Sequence, residues 1–294
     1  MSARYLLSEN WSLKASYANM QQNIHLLSNS SVGFPSDIWV PAIDSVPSQK
    51  SEQWAGSVST FLFQGAYELS LEGYYKTMSN LITYKAGYSN LSSTESWENS
   101  IENNGDGESY GAELFLQKKK GKTTGWIGYT LSWTNRQFDS INFGNTYPYR
   151  YDRRHDIGIA ITHEFNERIN CGIVWVYGTG NAVTLGLESY SSFNSSMVGD
   201  LPNFNLSNPS VTTIDHINSR NNYRMPAYHR LDVSVNIKKE KKWGERTLSF
   251  GVYNAYSRQN PFYLEFTRNE NGDPQLSQFS LFPLIPSITY SFKF

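Results

Sequence analysis

The sequence predicts an all-β protein, specifically an antiparallel transmembrane β-barrel. Three observations lead there. Apolar and polar residues alternate with a period of two along most of the chain. The connections between these segments are short and long by turns. One face of the alternating segments carries many ionisable groups, each of which needs water or a partner.

The elements follow in order. Eleven strands are expected at about 1–7, 11–25, 52–63, 67–85, 108–118, 123–136, 152–165, 168–178, 226–240, 245–267 and 277–294. In the fourth, Tyr67, Leu69, Leu71, Gly73 and Tyr75 alternate with Glu68, Ser70, Glu72, Tyr74 and Lys76. In the fifth, Tyr110, Ala112, Leu114 and Leu116 oppose Ser109, Gly111, Glu113 and Gln117. Ile157, Ile159 and Ile161 oppose Asp156, Gly158 and Ala160, with Phe165 and Glu164 continuing the two faces. Leu231, Val233, Val235 and Ile237 oppose Arg230, Asp232, Ser234 and Asn236. The last strand sets Pro286, Ile288, Tyr290, Phe292 and Phe294 against Ser287, Thr289, Ser291 and Lys293. No helical periodicity of similar strength appears, so almost no helix is expected.

Short turns fall at Ser8–Asn10, Gln64–Ala66, Lys119–Lys122, Asn166–Glu167 and Lys241–Gly244. Long loops fall at about 26–51, 86–107, 137–151, 179–225 and 268–276. All short turns then lie at one end of the sheet and all long loops at the other. Outer-membrane barrels have this layout, whereas the Greek-key connections of a soluble sandwich do not sort loop length.

Solvation decides which face meets lipid. A closed barrel pairs its backbone internally, so its apolar face points outward and its polar face lines the lumen. The expected lumen- or plug-facing residues are Glu68, Glu72, Lys76, Glu113, Gln117, Asp156, Glu164, Arg230 and Asp232. A mean hydropathy of −0.51 agrees with strands that are polar on one side. Trp11, Trp133 and Trp175 fall at strand ends on the outward face, where amphipathic rings meet headgroups, while Trp126 has the inward parity.

Composition excludes several classes. A net charge of −1 gives no basic excess for nucleic acid. A single cysteine, Cys171, excludes an internal disulfide framework and a cysteine-based metal cluster. No apolar run is long enough for a membrane helix, and the first residues lack a signal-peptide pattern. Bacterial barrels have an even strand number, so eleven strands imply that an upstream half is absent and that this chain alone forms no functional pore.

Several stretches carry a family resemblance. They are Tyr151-Asp-Arg-Arg-His-Asp156, Gly107-Glu-Ser-Tyr-Gly-Ala-Glu113, Gly125-Trp-Ile-Gly-Tyr-Thr-Leu-Ser132, Trp175-Val-Tyr-Gly-Thr-Gly180, Tyr228-His-Arg-Leu-Asp232, Tyr253-Asn254 and Ile288-Thr-Tyr-Ser-Phe-Lys-Phe294. Together they resemble the carboxy-terminal half of the barrel of a TonB-dependent receptor, with the nearest likeness to those of the Bacteroidota. The resemblance implies a barrel of roughly 22 strands around an amino-terminal plug. It also implies uptake of a scarce nutrient such as a siderophore, cobalamin or glycan, energised by a TonB-type protein acting on the plug. No plug, TonB-contacting box or signal peptide has a counterpart here. The implied partners are outer-membrane lipid, the missing barrel half and plug, the TonB-type protein, the barrel-assembly machinery and the nutrient. Phe294, Phe292, Tyr290 and Ile288 resemble the terminal signal that the assembly machinery binds.

No covalent chemistry, cofactor or metal is expected. Alternation puts His155 and Asp156 on opposite faces, so they form no dyad. The tract Asp152–Asp156 instead fits ion pairs that pin the strand entrance. An outer-membrane hydrolase is the alternative, with His25, His155 and His216 as its only loop-end histidines; a soluble β-rich binding module is another. Ligand contact is expected from the 179–225 loop, through Tyr190, Phe193, Phe204, Arg220 and Tyr223.

Overall fold

Residue alternation turns into strand pairing wherever two such segments meet across a short turn. The structure is a computed structural model, and it describes residues 1–29, 37–86, 96–186, 188–193, 211–242, 244–271 and 273–294. Eleven strands form one continuous wall. They are β1 (Ser2–Leu6), β2 (Trp11–Gln22), β3 (Gln49–Leu62), β4 (Tyr67–Tyr84), β5 (Ile101–Lys118) and β6 (Thr123–Gln137). The wall continues with β7 (His155–Glu164), β8 (Ile169–Gly178), β9 (Tyr228–Lys241), β10 (Gly244–Tyr253) and β11 (Ile285–Lys293). Each pairs antiparallel with its successor, in chain order, and among the described residues β1 and β11 each have a neighbour on one side only.

The short turns stand where the sequence places them. Helix among the described residues is limited to two single 3-10 turns, Trp97–Ser100 and Asn142–Gly144. The long connections carry hairpins of their own: Ile24–Leu27 with Ile38–Pro41, Ala182–Val183 with Tyr223–Arg224, Glu188–Phe193 with Val211–His216, and Pro261–Arg268 with Pro274–Ser280.

Several strand extents differ from the expectation: the strand expected over 108–118 already begins at Ile101, the one expected over 11–25 ends at Gln22, and three others differ for a local reason. The strand expected over 245–267 stops at Tyr253, because Asn254 turns the chain with φ of 52°. Its side chain is fully buried and ties the turn, with Nδ2 donating to the carbonyls of Arg258 and Phe282. The strand expected over 277–294 is likewise two pieces, broken at Phe282 with φ of 57°. The expected loop 268–276 is therefore the tip of a hairpin inside a longer connection. The strand expected from 152 begins at His155, since Asp152 closes a turn through its backbone N–H on the Tyr149 carbonyl.

Among the described residues there is no central core. Buried apolar residues gather in three small clusters at the long-loop end: around Leu27, Val40, Val46, Ile82, Tyr84 and Ile101; around Leu81, Phe138, Ile141 and Tyr147; and around Val183, Met225 and Leu264. The apolar side chains of the wall stay uncovered by protein, with Ile288 72% and Tyr290 62% exposed. The accessible surface is 18934 Å². A globular monomer of 33.6 kDa would show about 12,700 Å². The excess is a wall whose apolar side is covered by something other than this chain.

Candidate functional site: two faces and a ring of loop anchors

Strand register sorts every wall residue onto one of two faces. Glu68 opposes Gln117, Glu72 opposes Glu113, and Lys76 lies between Gln53 and Ser109. The same row passes through Gln117↔Trp126 and Glu113↔Thr130 to Asp156, which opposes Thr130 and Gly178. Glu164 opposes Asn170, Arg230 opposes Val176, and Asp232 opposes Val174. All nine residues expected on the lumen side therefore share one face. The polar side chains there bond across strands: Lys119 Nζ to Glu68 at 2.5 Å, Ser12 to Ser59 at 2.8 Å, Asn236 to Asn170 at 2.8 Å. Trp126 lies on this face too, stacked on Phe115 with ring centroids 6.1 Å apart.

The other face is apolar and ends in an aromatic row. Tyr17, Trp54, Tyr75, Tyr110 and Trp133 are successive cross-strand partners on β2 to β6. Their neighbouring rings are 5.3 to 6.4 Å apart. The guanidinium of Arg154 caps the row 4.4 Å above Trp133. From Tyr67 to Tyr75 the outward face of β4 runs about 27 Å along the strand, or about 20 Å of height at a tilt near 40°, close to the roughly 25 Å apolar band of membrane barrels. Trp11 and Trp175 belong to this face as expected, opposite Thr60 and Ile159. Only Trp133 of the three expected tryptophans joins the ring row.

The loop end is held by two carboxylates, Asp152 buried and Asp232 half-buried. Asp152, 1% exposed, accepts the Thr134 N–H at 2.7 Å on Oδ1 and Arg224 at 2.6 Å and Arg154 at 3.5 Å on Oδ2. Arg224 also donates to the carbonyls of Asp152 and Gly180, so connection 179–227 is fastened to connection 138–154. Asp232 plays the same part at β9: Arg230 grips it through Nε at 3.0 Å and Nη2 at 2.9 Å, and Oδ1 accepts the Asn254 N–H at 3.0 Å. Arg230 further donates to the Tyr228 and Tyr253 hydroxyls at 2.9 and 2.8 Å. The expectation that the Asp152–Asp156 tract pins a strand entrance matches this geometry, with Arg153 adding an exposed pair to Asp156 at 3.0 Å. Arg224, the main partner, was not legible: it lies 72 residues away in a loop with no periodicity.

The three loop-end histidines stand apart. His25 is buried and donates from Nε2 to the Pro47 carbonyl at 3.2 Å. Burial pushes its imidazole below the ordinary value, and the nearby Arg136 charge adds to this against the Pro47 bond. His155 Nδ1 meets the Tyr129 hydroxyl at 2.9 Å, and His216 ends a loop strand, exposed. Among the described residues no group of His, Cys, Asp and Glu has metal-site geometry.

Of the expected ligand-loop residues, Phe204 lies outside the described residues, and Tyr190 and Phe193 are placed only as backbone of strand Glu188–Phe193. Arg220 donates to the Tyr84 carbonyl and Thr83 Oγ1, and Tyr223 packs on the cluster of Val183, Met225 and Leu264. The terminal residues Ile288, Tyr290 and Phe292 oppose Phe250, Leu248 and Arg246 on the apolar face, with Phe294 packed edge-on to Phe292 at 5.1 Å.

An antiparallel wall with an uncovered apolar band, an aromatic row and an opposite polar face defines a membrane β-barrel protein. The family model "TonB dependent receptor-like, beta-barrel" matches residues 1–255, and the chain belongs to that family of outer-membrane receptors. No curated protein matches it in sequence. Among solved structures it is similar to the ferric yersiniabactin uptake receptor of Yersinia pestis, with 14% identity and a TM-score of 0.57, covering 100% of this chain and 37% of that one. The siderophore receptor PiuA of Acinetobacter baumannii gives 12% and 0.57, covering 100% and 35%. The ferripyoverdine receptor of Pseudomonas aeruginosa gives 13% and 0.54, covering 96% and 31%. The chain thus spans about a third of the length of these receptors.

Proposed function

We propose that residues 1–294 are the carboxy-terminal half of the barrel of a receptor that imports a scarce nutrient across the outer membrane. The polar face carrying Glu68, Glu72, Lys76, Glu113, Gln117, Asp156, Glu164, Arg230 and Asp232 lines the lumen and meets an amino-terminal plug supplied by the rest of the polypeptide. The apolar face meets lipid, and the long connections form the extracellular mouth. No bond of the cargo is made or broken. Energy enters through a TonB-type protein pulling on the plug, and the wall serves as the rigid frame against which the plug moves. The terminal set Ile288, Tyr290, Phe292 and Phe294 is the handle for the barrel-assembly machinery.

The observation that carries this reading is the unbroken sorting of faces across eleven antiparallel strands. The cargo class remains siderophore, cobalamin or glycan; metal chelates lead, because the similar receptors named above are described with ferric siderophores. The test is uptake by the full receptor in cells lacking it, with residues 185–218 deleted in one arm. We expect loss of uptake of one labelled nutrient in the null strain, restoration by the intact gene, and weaker cargo binding in the loop deletion. Unchanged uptake of every nutrient in the null strain would refute import; unchanged binding in the deletion would discard the loop as a recognition element.

A further inference from the structure

Charges at the short-turn end are sorted by sign between the two faces of the wall. Where β9 meets β10, Lys239 directly opposes Arg246, and Lys241 opposes Gly244. They continue the outward set of Val235 and Ile237, so all three cations stand on the lipid side. The carboxylates of the same hairpin, Glu240 and Glu245, oppose each other on the inner face, where Glu245 also opposes Lys293. Lys239, Lys241 and Arg246 are exposed, and none of the described ion pairs engages them. Like charges directly opposite across two strands repel. Their outward neighbours Ile237, Leu248, Tyr290 and Phe292 supply no carboxylate to offset that.

The basic row closes the apolar band. The next outward row is Ile237, Leu248 and Tyr290, followed by Val235, Phe250 and Ile288. A second hairpin repeats the sorting: Lys118 lies outward with Nζ 5.8 Å from the Tyr67 ring centroid, while Glu68 turns inward to Lys119. The long-loop rim has the opposite balance. Beyond the aromatic row its outward positions hold Glu52, Glu108 and Asp106 against Lys50. Unopposed outward cations are thus a property of the short-turn rim.

We propose that Lys239, Lys241 and Arg246 bind the phosphate headgroup of one anionic phospholipid, whose acyl chains lie along the adjoining apolar rows. The leaflet rests on the import reading, which puts the short turns on the periplasmic side. A guanidinium grips phosphate as a fork and an ammonium adds a point charge. The long stems of Lys and Arg lie along apolar surface while their heads reach the polar boundary. A lipid suits this place better than a soluble anion, because the cations are continuous with the exposed side chains of Ile237, Phe250, Ile288 and Tyr290. One amphiphile answers both the charge and the apolar surface from a single position.

The experiment is native mass spectrometry of the full receptor released from nanodiscs of phosphatidylcholine with a minor fraction of phosphatidylglycerol. The wild type is expected to retain phosphatidylglycerol in preference to phosphatidylcholine. Lys239→Gln and Arg246→Gln are each expected to weaken that retention about fivefold, the worth of one basic residue at an anionic lipid surface. Lys238→Gln, one residue along β9 and on the inner face, is expected to leave it unchanged. Lys239→Arg keeps the charge and is expected to restore it. Heat-modifiable migration on gels establishes that each variant is folded. Equal retention by the wild type and a folded Lys239→Gln, Arg246→Gln double variant overturns the proposal. An equal loss in Lys238→Gln overturns it too, since net charge rather than the outward row would then hold the lipid. Variants that keep the lipid but assemble poorly would make the patch a protein contact, and the proposal falls. Nanodiscs offer the lipid to both rims and uptake is scored separately, so none of these failures touches the import reading.

Discussion

At the scale of the residue, position on a strand decides what a charge does. Asp152 and Asp156 both belong to the tract that follows the third long loop. Asp156 pairs with Arg153 near water, while Asp152 is buried and receives three donors. Removing one partner of a buried pair strands the other, at a typical cost of about 3–5 kcal/mol; the partial exposure of Arg154 and Arg224 puts this site at the low end. Asp152→Ala in the full receptor is expected to cost about 3 kcal/mol and to open the 179–227 connection to protease. Asp152→Asn keeps an acceptor for the Thr134 N–H and is expected to cost less. Urea unfolding with limited proteolysis checks both, and equal behaviour of Asp156→Ala would show that burial is not what matters. The pairing of Asp152 with Arg224 could not be read from sequence, because loop closure over 72 residues leaves no periodic trace.

The element scale is where the sequence was most informative. Across a short turn, antiparallel partners are found by counting outward from the turn, so Trp54 and Tyr75 are matched by the turn at 63–66, whereas the turn at 119–122 would pair Tyr110 with Leu131 and the sheet pairs it with Trp133, two residues further on. Across a long loop the count fails, and the matches Tyr17↔Trp54 and Tyr75↔Tyr110 are set only by the folded sheet. The long loops also hid the hairpin at 261–280, which reads as a continuation of its neighbouring strands because it has the same alternation. The aromatic row makes a physical prediction. In single-tryptophan variants of the full receptor reconstituted with brominated lipids, Trp54 and Trp133 fluorescence is expected to be quenched strongly by bromines placed near the headgroup. Trp126, on the strand of Trp133 but on its other face, is expected to be quenched several-fold less. Equal quenching of Trp126 and Trp133 would reverse the assignment of the faces.

For the whole molecule, the wall is an open sheet. Both β1 and β11 present an unpaired edge among the described residues, and hydrocarbon offers no partner for backbone N–H and C=O groups. The polypeptide of residues 1–294 expressed by itself is therefore expected to yield no heat-modifiable, protease-resistant monomer. Co-expression with the remaining barrel strands and plug is expected to restore one. A protease-resistant monomeric barrel from residues 1–294 alone would mean that the two edges close on each other. The surface excess over a globular chain points the same way: among the described residues buried apolar side chains lie in small loop clusters, and strand pairing rather than a packed core joins the wall.

Local alternation and turn spacing determined the strand class, the number of wall strands, the shared face of the nine polar residues from Glu68 to Asp232 and the place of Trp126 on that face. These depend on a side-chain period of two and on chain reversal over a few residues, both of which are local properties. Tertiary structure alone decided which loop residues meet: Arg224 with Asp152, Asn254 with Phe282, and Arg136, Arg150 and Arg220 in one cleft. Those contacts join segments far apart in the chain through irregular backbone, where no repeating geometry links a residue's number to its neighbours in space.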